Sequence, residues 1–287
     1  MKSIYKKEVK SYLTSMIGYV FIFFILLLEG IYFTAYNLQN AYPLFGTTLS
    51  AVTFIFLILV PVLTMKTIAE ERKQKTDQLL LTAPVSVSEI VLGKFLAVAT
   101  VYVIPVLIIC LYPMIMGKYG TISYAMAYTA VLGFALLGFA QIAVGVFWSS
   151  VTENPVIAAV VTFIVLFVCY MITGISSLIP DSSMASLACY MLLVLLAAVW
   201  IYHMIRNLWI AAVIGIAGEA ALAITYVVKS TLFEGSIQKF LAVFDITSHF
   251  DNFTNGILDL QGVVYFLSVI IIFLVLTVQT ITKRRWN

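Results

Sequence analysis

The chain has 287 residues, 63% of them hydrophobic and 10% charged, where a soluble domain carries about 25% charged residues. A mean hydropathy of +1.09 excludes a soluble enzyme or binding module and predicts an all-α polytopic membrane protein. The net charge of +3 does not point to nucleic acid, because the lysines flank apolar runs and form no single face.

At roughly 20 residues per crossing, about eight helices fit and leave no room for a separate soluble domain. A single transmembrane domain over residues 1–287 is expected. The apolar runs are continuous and not alternating, which excludes a barrel.

Residues 1–16 read as an amphipathic helix lying in the membrane interface. Ile4, Tyr5, Val9, Tyr12, Leu13 and Met16 recur at helical spacing, and Lys2, Lys6, Lys7 and Lys10 lie off that stripe near the headgroups. The alternative is a basic tail that only sets topology. The apolar stretch after Lys10 is too long for a signal-peptide core and no small-x-small site follows it, so the first span is expected to remain as an anchor.

Eight spans follow: Ile17–Leu38, Leu49–Ala69, Phe95–Met116, Tyr124–Trp148, Pro155–Ile179, Leu187–Met204, Leu208–Val228 and Val263–Thr282. The sixth and seventh also read as re-entrant halves, or as one hairpin that does not fully cross. Pro61, Pro105 and Pro113 lie inside spans and predict kinks. Asn154-Pro155 is a helix start, with asparagine at the N-cap and proline at the first helical position.

Between the second and third spans lies a charged island, residues 66–94, KTIAEERKQKTDQLLLTAPVSVSEIVLGK. Glu70, Glu71, Arg72, Lys73 and Lys75 read as the solvated face of a helix leaving the membrane. Leu79, Leu80 and Leu81 then form an apolar cluster that needs a membrane or protein surface to cover it. Ala83-Pro84 interrupts the helix. Ser86-Val87-Ser88-Glu89 is a capping box that opens the helix running into the third span. Helix, proline break and capped helix together predict a rigid elbow at which an outside partner can push. The alternative is an ordinary long loop.

Residues 229–262 are the one long segment on the opposite side. Ile237, Phe240, Leu241 and Phe244, then Ile246, Phe250, Phe253 and Ile257, predict short amphipathic helices. Orientation follows the basic residues. With the N-terminus cytoplasmic, the inside holds Lys2, Lys6, Lys7, Lys10, Lys66, Arg72, Lys73, Lys75, Lys94, Arg206, Lys283, Arg284 and Arg285, and the outside only Lys118, Lys229 and Lys239. Both termini are then cytoplasmic.

No residue pattern carries catalysis. Gly93-Lys94 is followed by Phe95 and Gly117-Lys118 by Tyr119, so neither fits the phosphate-binding G-x-x-x-x-G-K-[ST] loop. The chain is expected to be no enzyme, with no catalytic, cofactor-binding or metal residues of its own. Cys110, Cys169 and Cys189 read as packing residues, and His203 and His249 stand apart. Three polar residues lie deep in spans: Glu29, Gln141 and Glu219. Such groups face a cavity or partner when they form a substrate or proton pathway, or serve as hydrogen-bonded packing residues.

The island resembles the signature of ABC-2-type permeases, the membrane subunits of ABC exporters. It carries Ala69-Glu70-Glu71-Arg72, Thr76, Leu79-Leu80-Leu81-Thr82, Pro84-Val85-Ser86, Glu89-Ile90 and Leu92-Gly93-Lys94. Lys10–Ser15 with Ile17-Gly18-Tyr19, Phe147–Asn154, and Gly256–Leu260 followed by Val264-Tyr265 look like the gliding-motility-associated subgroup. Two departures stand out: Lys75 where the family often has glycine, and Met16 where it often has proline. The usual core has six spans, so the sixth and seventh look like an added pair.

The resemblance implies a permease subunit of an ATP-driven exporter in a plasma membrane, bacterial by the same likeness. Two copies, or one copy and a relative, would form the pathway, and an extracytoplasmic auxiliary subunit is compatible with it. Cytoplasmic ATPase subunits would bind ATP and magnesium and dock on the coupling residues Glu70, Glu71, Arg72, Thr76, Leu79, Leu80 and Thr82. Pro84, Ser86, Glu89 and Gly93 would stiffen the elbow. Two other classes remain: a non-transporting subunit that passes ATPase strokes to an extracytoplasmic machine, and a proton-coupled secondary transporter using Glu29 or Glu219, for which no internal repeat is evident.

Overall fold

The computed structural model describes residues 1–77 and 85–286. Those residues form helices and no strand. In chain order the helices are α1 (Lys2–Thr14), α2 (Met16–Tyr32, continued by a π-helix over Phe33–Gln39), α3 (Phe45–Thr64), α4 (Ala69–Lys73), α5 (Val87–Ile109), α6 (Tyr112–Tyr119) and α7 (Tyr124–Val151). Then come α8 (Pro155–Leu178), α9 (Ser183–Ile205), α10 (Leu208–Val228), a 3-10 turn (Ser230–Phe233), α11 (Ser236–Ala242), α12 (Ser248–Thr254) and α13 (Leu260–Trp286).

Among the described residues, six helical stretches are long and apolar enough to cross a membrane: Met16–Gln39, Phe45–Lys73, Val87–Tyr119, Tyr124–Val151, Pro155–Leu178 and Leu260–Arg284. The two further spans expected from the sequence, Leu187–Met204 and Leu208–Val228, fall in the helices α9 and α10, outside those six stretches. Ala212–Val228 meets Ser230–Ala242 at a bend of 116°.

The helices cluster into two compact units, Met1–Val168 with His249–Asn287, and Cys169–Ser248. In the first, α7 is central and packs against α3, α5 and α13. Its glycines set the spacing. A Cβ on Gly138 would lie 2.3 Å from the Tyr102 ring of α5, and one on Gly145 would lie 2.2 Å from the Thr64 hydroxyl of α3. Close approach of backbones at small residues is how membrane helices gain packing, since lipid offers no hydrophobic drive. Phe56, Tyr102 and Phe134 fill the centre, with ring centroids 4.8 to 6.3 Å apart, and the Tyr102 hydroxyl donates to Phe134 O at 2.7 Å.

The sequence expectations for the loops are met in part. Pro61 and Pro105 lie inside α3 and α5, whereas Pro113 opens the separate helix α6 after a break at Cys110–Leu111. Asn154 caps α8 by accepting from Val156 N at 3.0 Å. The amphipathic stripe of residues 229–262 is only half used: Ile237, Ile246, Phe250 and Phe253 are buried, while Phe240, Phe244 and Ile257 are exposed. In the second unit α9 and α10 form a hairpin, with Gly218 against Val194.

Candidate functional site

The charged island opens with a sharp turn that is tied from three sides. α3 stops at Thr64, and residues 65–68 lead into the short α4. A helix start exposes N–H groups that have no partner within the helix. Here the Ser149 hydroxyl, on α7, accepts from Ile68 N and Ala69 N, each at 3.1 Å, and donates to Met65 O at 3.1 Å. Ser149 can reach because Gly145, one turn earlier on α7, lets Thr64 come close. From α5, Lys94 donates to Thr67 O at 2.8 Å. From α1, the Tyr12 hydroxyl donates to Leu63 O at 3.2 Å and shares a 3.0 Å hydrogen bond with Thr67. Burial pushes the Tyr12 phenol above its ordinary value, against the opposing pull of the Thr67 hydrogen bond.

The charges around this turn are internally paired. Lys94, 2% exposed at its side chain, lies 3.0 Å from Glu8 and 2.8 Å from Glu71. Lys7 lies 3.2 Å from Glu71, and Lys66 lies 3.6 Å from Glu70. A buried ammonium is tolerable only with such partners. α1 comes this near to α5 because of Gly93, where a Cβ would lie 3.3 Å from Ile4. The bundle-facing side of α1 is therefore Ile4, Glu8 and Tyr12, while Lys2, Lys6, Lys7 and Lys10 stay exposed. A cavity of about 450 Å³ opens between α1 and α4, lined by Lys7, Glu8, Tyr12, Lys66, Glu70 and Glu71 among others.

Arg72 corrects the expectation of a solvated face. Its side chain is 3% exposed, its guanidinium donates to Ser150 O, and Nη2 lies 3.7 Å from Glu153. α4 has only five residues and turns Ala69 and Arg72, three apart, toward the bundle. Glu153 also accepts from Arg284 at 2.9 Å, so the ends of α4, α7 and α13 meet at one carboxylate.

The helix also ends earlier than the Ala83-Pro84 break predicts. Thr76 N donates to Glu71 O at 2.9 Å and Lys75 N to Arg72 O at 3.1 Å, the paired hydrogen bonds of a Schellman stop. Lys75 takes the left-handed conformation that this stop requires, with φ of 57°.

Of the predicted coupling residues, Glu70 and Glu71 are half-buried and Thr76 is exposed beside Lys73 and Gln74. Leu79, Leu80, Thr82 and the elbow residue Pro84 lie outside the described residues. The capping box is present: the Ser86 hydroxyl accepts from Glu89 N at 3.3 Å, and the Glu89 carboxylate accepts from Ser86 N at 3.4 Å. Gly93 is buried in the contact with α1.

The three deep polar residues lie on three different helices. Glu29 is on α2, Gln141 on α7 and Glu219 on α10 in the second unit. Glu29 is fully buried with neither carboxyl oxygen hydrogen-bonded, and Gln141 Oε1 likewise has no partner. The interhelical hydrogen bond expected for Gln141 is thus not made through its oxygen. Glu219 is half-buried.

Sequence reasoning missed Glu8, Lys94, Ser149 and Glu153 as parts of the elbow. One signal was available for Glu8: it is the single acid on a lysine-rich helix, four residues from both Ile4 and Tyr12. Another was the small-x-x-x-small spacing of Gly145 and Ser149.

The family description "ABC-2 family transporter protein" matches residues 30–282, a stretch that includes the turn at residues 65–76, α7 and most of α13. The chain belongs to the ABC-2 transporter family. With six long apolar helices among the described residues, it is a multi-pass membrane protein of the plasma membrane, and membership implies an ABC ATPase as partner. No curated protein matches the chain.

Proposed function

We propose that this chain is the permease subunit of an ATP-driven exporter and that the elbow is where a separate ATPase subunit pushes. The observation that carries the reading is the construction of the turn at residues 65–76. Its base is fixed to α1, α5 and α7 by Tyr12, Lys94 and Ser149. Its tip presents Lys73, Gln74, Lys75 and Thr76 to the outside. A lever needs this division, because a force on the exposed tip reaches three helices at once only if the base does not yield.

In this reading the basic end of the bundle and both termini are cytoplasmic, as the distribution of lysine and arginine requires. The ATPase binds ATP and magnesium, and this chain performs no hydrolysis. Two permeases enclose the pathway. The α9–α10 hairpin adds to a six-span core, giving eight crossings if both of its arms traverse the bilayer. The gliding-type likeness of the termini and of the α7–α8 turn belongs to the same reading.

The test is purification of the tagged chain from its native membranes in mild detergent, with every partner identified by mass. A stoichiometric ATPase is expected, bound two-to-two and lost on reversing the exposed charge in Lys73→Glu. An unaccompanied chain in every detergent, or an ATPase whose binding ignores that substitution, would refute the elbow as the docking point. Glu71 and Arg72 are unsuitable for this test, since both are tied into the bundle and their loss would disturb folding.

A further inference from the structure

Glu29 has no place in the elbow or in its coupling role. It sits near the middle of the Met16–Gln39 span, on the stripe of α2 that faces the bundle: Phe21, Ile25, Glu29, Phe33 and Asn37. Every other member of that stripe is either apolar or satisfied. Asn37 donates to Tyr42 O at 2.7 Å and accepts from the Thr48 hydroxyl at 2.5 Å. Glu29 alone on the stripe is left with two bare oxygens and 0% exposure.

Among the described residues of the helices packed on α2, no cation is placed to balance a charge there. α3, packed on α2, carries no ionisable residue. On α5, Glu89 is exposed at the far end, Lys94 is engaged by Glu8 and Glu71, and Tyr102 donates its hydroxyl to Phe134 O. α1 carries its lysines, Glu8, Tyr5 and Tyr12 at the basic end of the span. The π-helix adds only Tyr36, which is exposed. α6, packed on the π-helix, offers the neutral Tyr112 together with exposed Lys118 and Tyr119. Tyr102 and Tyr112 lie within electrostatic reach of Glu29, and neither is a cation. A second copy of the chain cannot supply one either, because the Glu29 side chain has 0% exposure.

We propose that Glu29 is a proton-binding site of the spans: in this closed packing it holds a proton as a neutral carboxylic acid. An isolated carboxylate without donors or counter-charge is the most expensive group to bury, and taking a proton removes that expense. Parting α2 from α3 and α5 would admit water to the stripe and let the proton leave, so closing and opening exchange one proton with the surrounding water. This goes beyond the ATPase-driven reading and does not depend on it.

The test uses the full chain in lipid nanodiscs at neutral pH and compares wild type with Glu29→Gln by infrared difference spectroscopy. The expected result is loss of one protonated-carboxyl carbonyl band in the variant. Loss of a carboxylate band pair instead would overturn the proposal. Should Glu29→Gln fail to fold, the Glu219→Gln variant labelled with carboxyl-13C glutamate replaces it: a label-shifted glutamic-acid carbonyl band is expected to persist there, and its absence would overturn the proposal. A second readout is thermal unfolding against pH. A group protonated in the folded state and ionised when unfolded makes stability fall as pH rises. Wild type should therefore lose more melting temperature than Glu29→Gln between mildly acidic and mildly alkaline pH. Equal slopes would count against a native-state proton.

Discussion

Glu8 and Glu29 are carboxylates buried in the same unit by the same bundle, and the protein treats them in opposite ways. Glu8 meets Lys94 at 3.0 Å, and the ammonium is shared with Glu71 at 2.8 Å and held by Thr67 O. Glu29 meets nothing. The first arrangement fixes α1, α4 and α5 in one geometry and has no reason to change within a working cycle. The second is stable in this packing as an acid and invites rearrangement when charged. Buried charge thus marks a joint at the basic end of the bundle and a proton site at mid-span.

The contrast is broken most severely by removing the shared cation. Lys94→Met leaves two acids facing each other beneath α1, and stripping one partner from a buried pair costs about 3–5 kcal/mol. Chemical unfolding in detergent should show that loss, and Lys94→Met with Glu8→Leu should recover much of it. Wild-type stability in the single variant would mean that the ion pairs do not hold the elbow.

Ser149→Ala probes the joint without touching a charge. It withdraws the acceptor for Ile68 N and Ala69 N and the donor to Met65 O. An unsatisfied buried group costs about 1–3 kcal/mol, and water at the turn relieves part of this, so about 2 kcal/mol is expected. The local signature is faster amide exchange at Ile68 and Ala69 with the exchange of mid-span α7 unchanged.

Tyr12→Phe is milder, about 1 kcal/mol for its hydrogen bonds at neutral pH, and it has a pH signature. The folded phenol is raised by burial, so folding holds its proton above the ordinary tyrosine value of about 10. The stabilisation is fully present below that value and is lost as pH rises beyond it. Unfolding curves of wild type should steepen in alkali more than those of Tyr12→Phe. Parallel curves would place the phenol in water.

These variants also show what the sequence could disclose. Helical class and the six long apolar helices follow from composition, because a run of about 20 apolar residues has few other fates. The Ser86–Glu89 box and the Asn154-Pro155 start were legible because caps are local, with donor and acceptor within three residues. The buried side of Arg72 was not. Five charged residues in seven read as a solvated face, and only the arrival of Ser150 and Glu153 from another helix makes burial affordable. Ser149, Lys94 and Glu8 act across 81, 27 and 86 residues of chain, separations at which one sequence carries no pairing signal. The burial of Glu29 was foreseen as a problem, but its lack of partners depends on what α3 and α5 present to it.

The smallest effect expected runs the other way. Lys75 ends α4 in the left-handed region, with φ of 57°, where a side chain with a Cβ is strained by about 1–2 kcal/mol. It occupies the position of a Schellman stop that glycine fills most readily, and related permeases often place glycine before this threonine. Lys75 is exposed. Lys75→Gly removes the strain but gives the unfolded chain more freedom, which offsets part of the gain, so a net stabilisation of up to about 1 kcal/mol should remain. A higher unfolding midpoint would show that the elbow keeps its strained lysine for something other than folding, and the exposed tip that meets the ATPase in the proposed complex is the place to look. A lower midpoint would mean that the lysine side chain holds the turn, and that the rigid base of the elbow extends out to its tip.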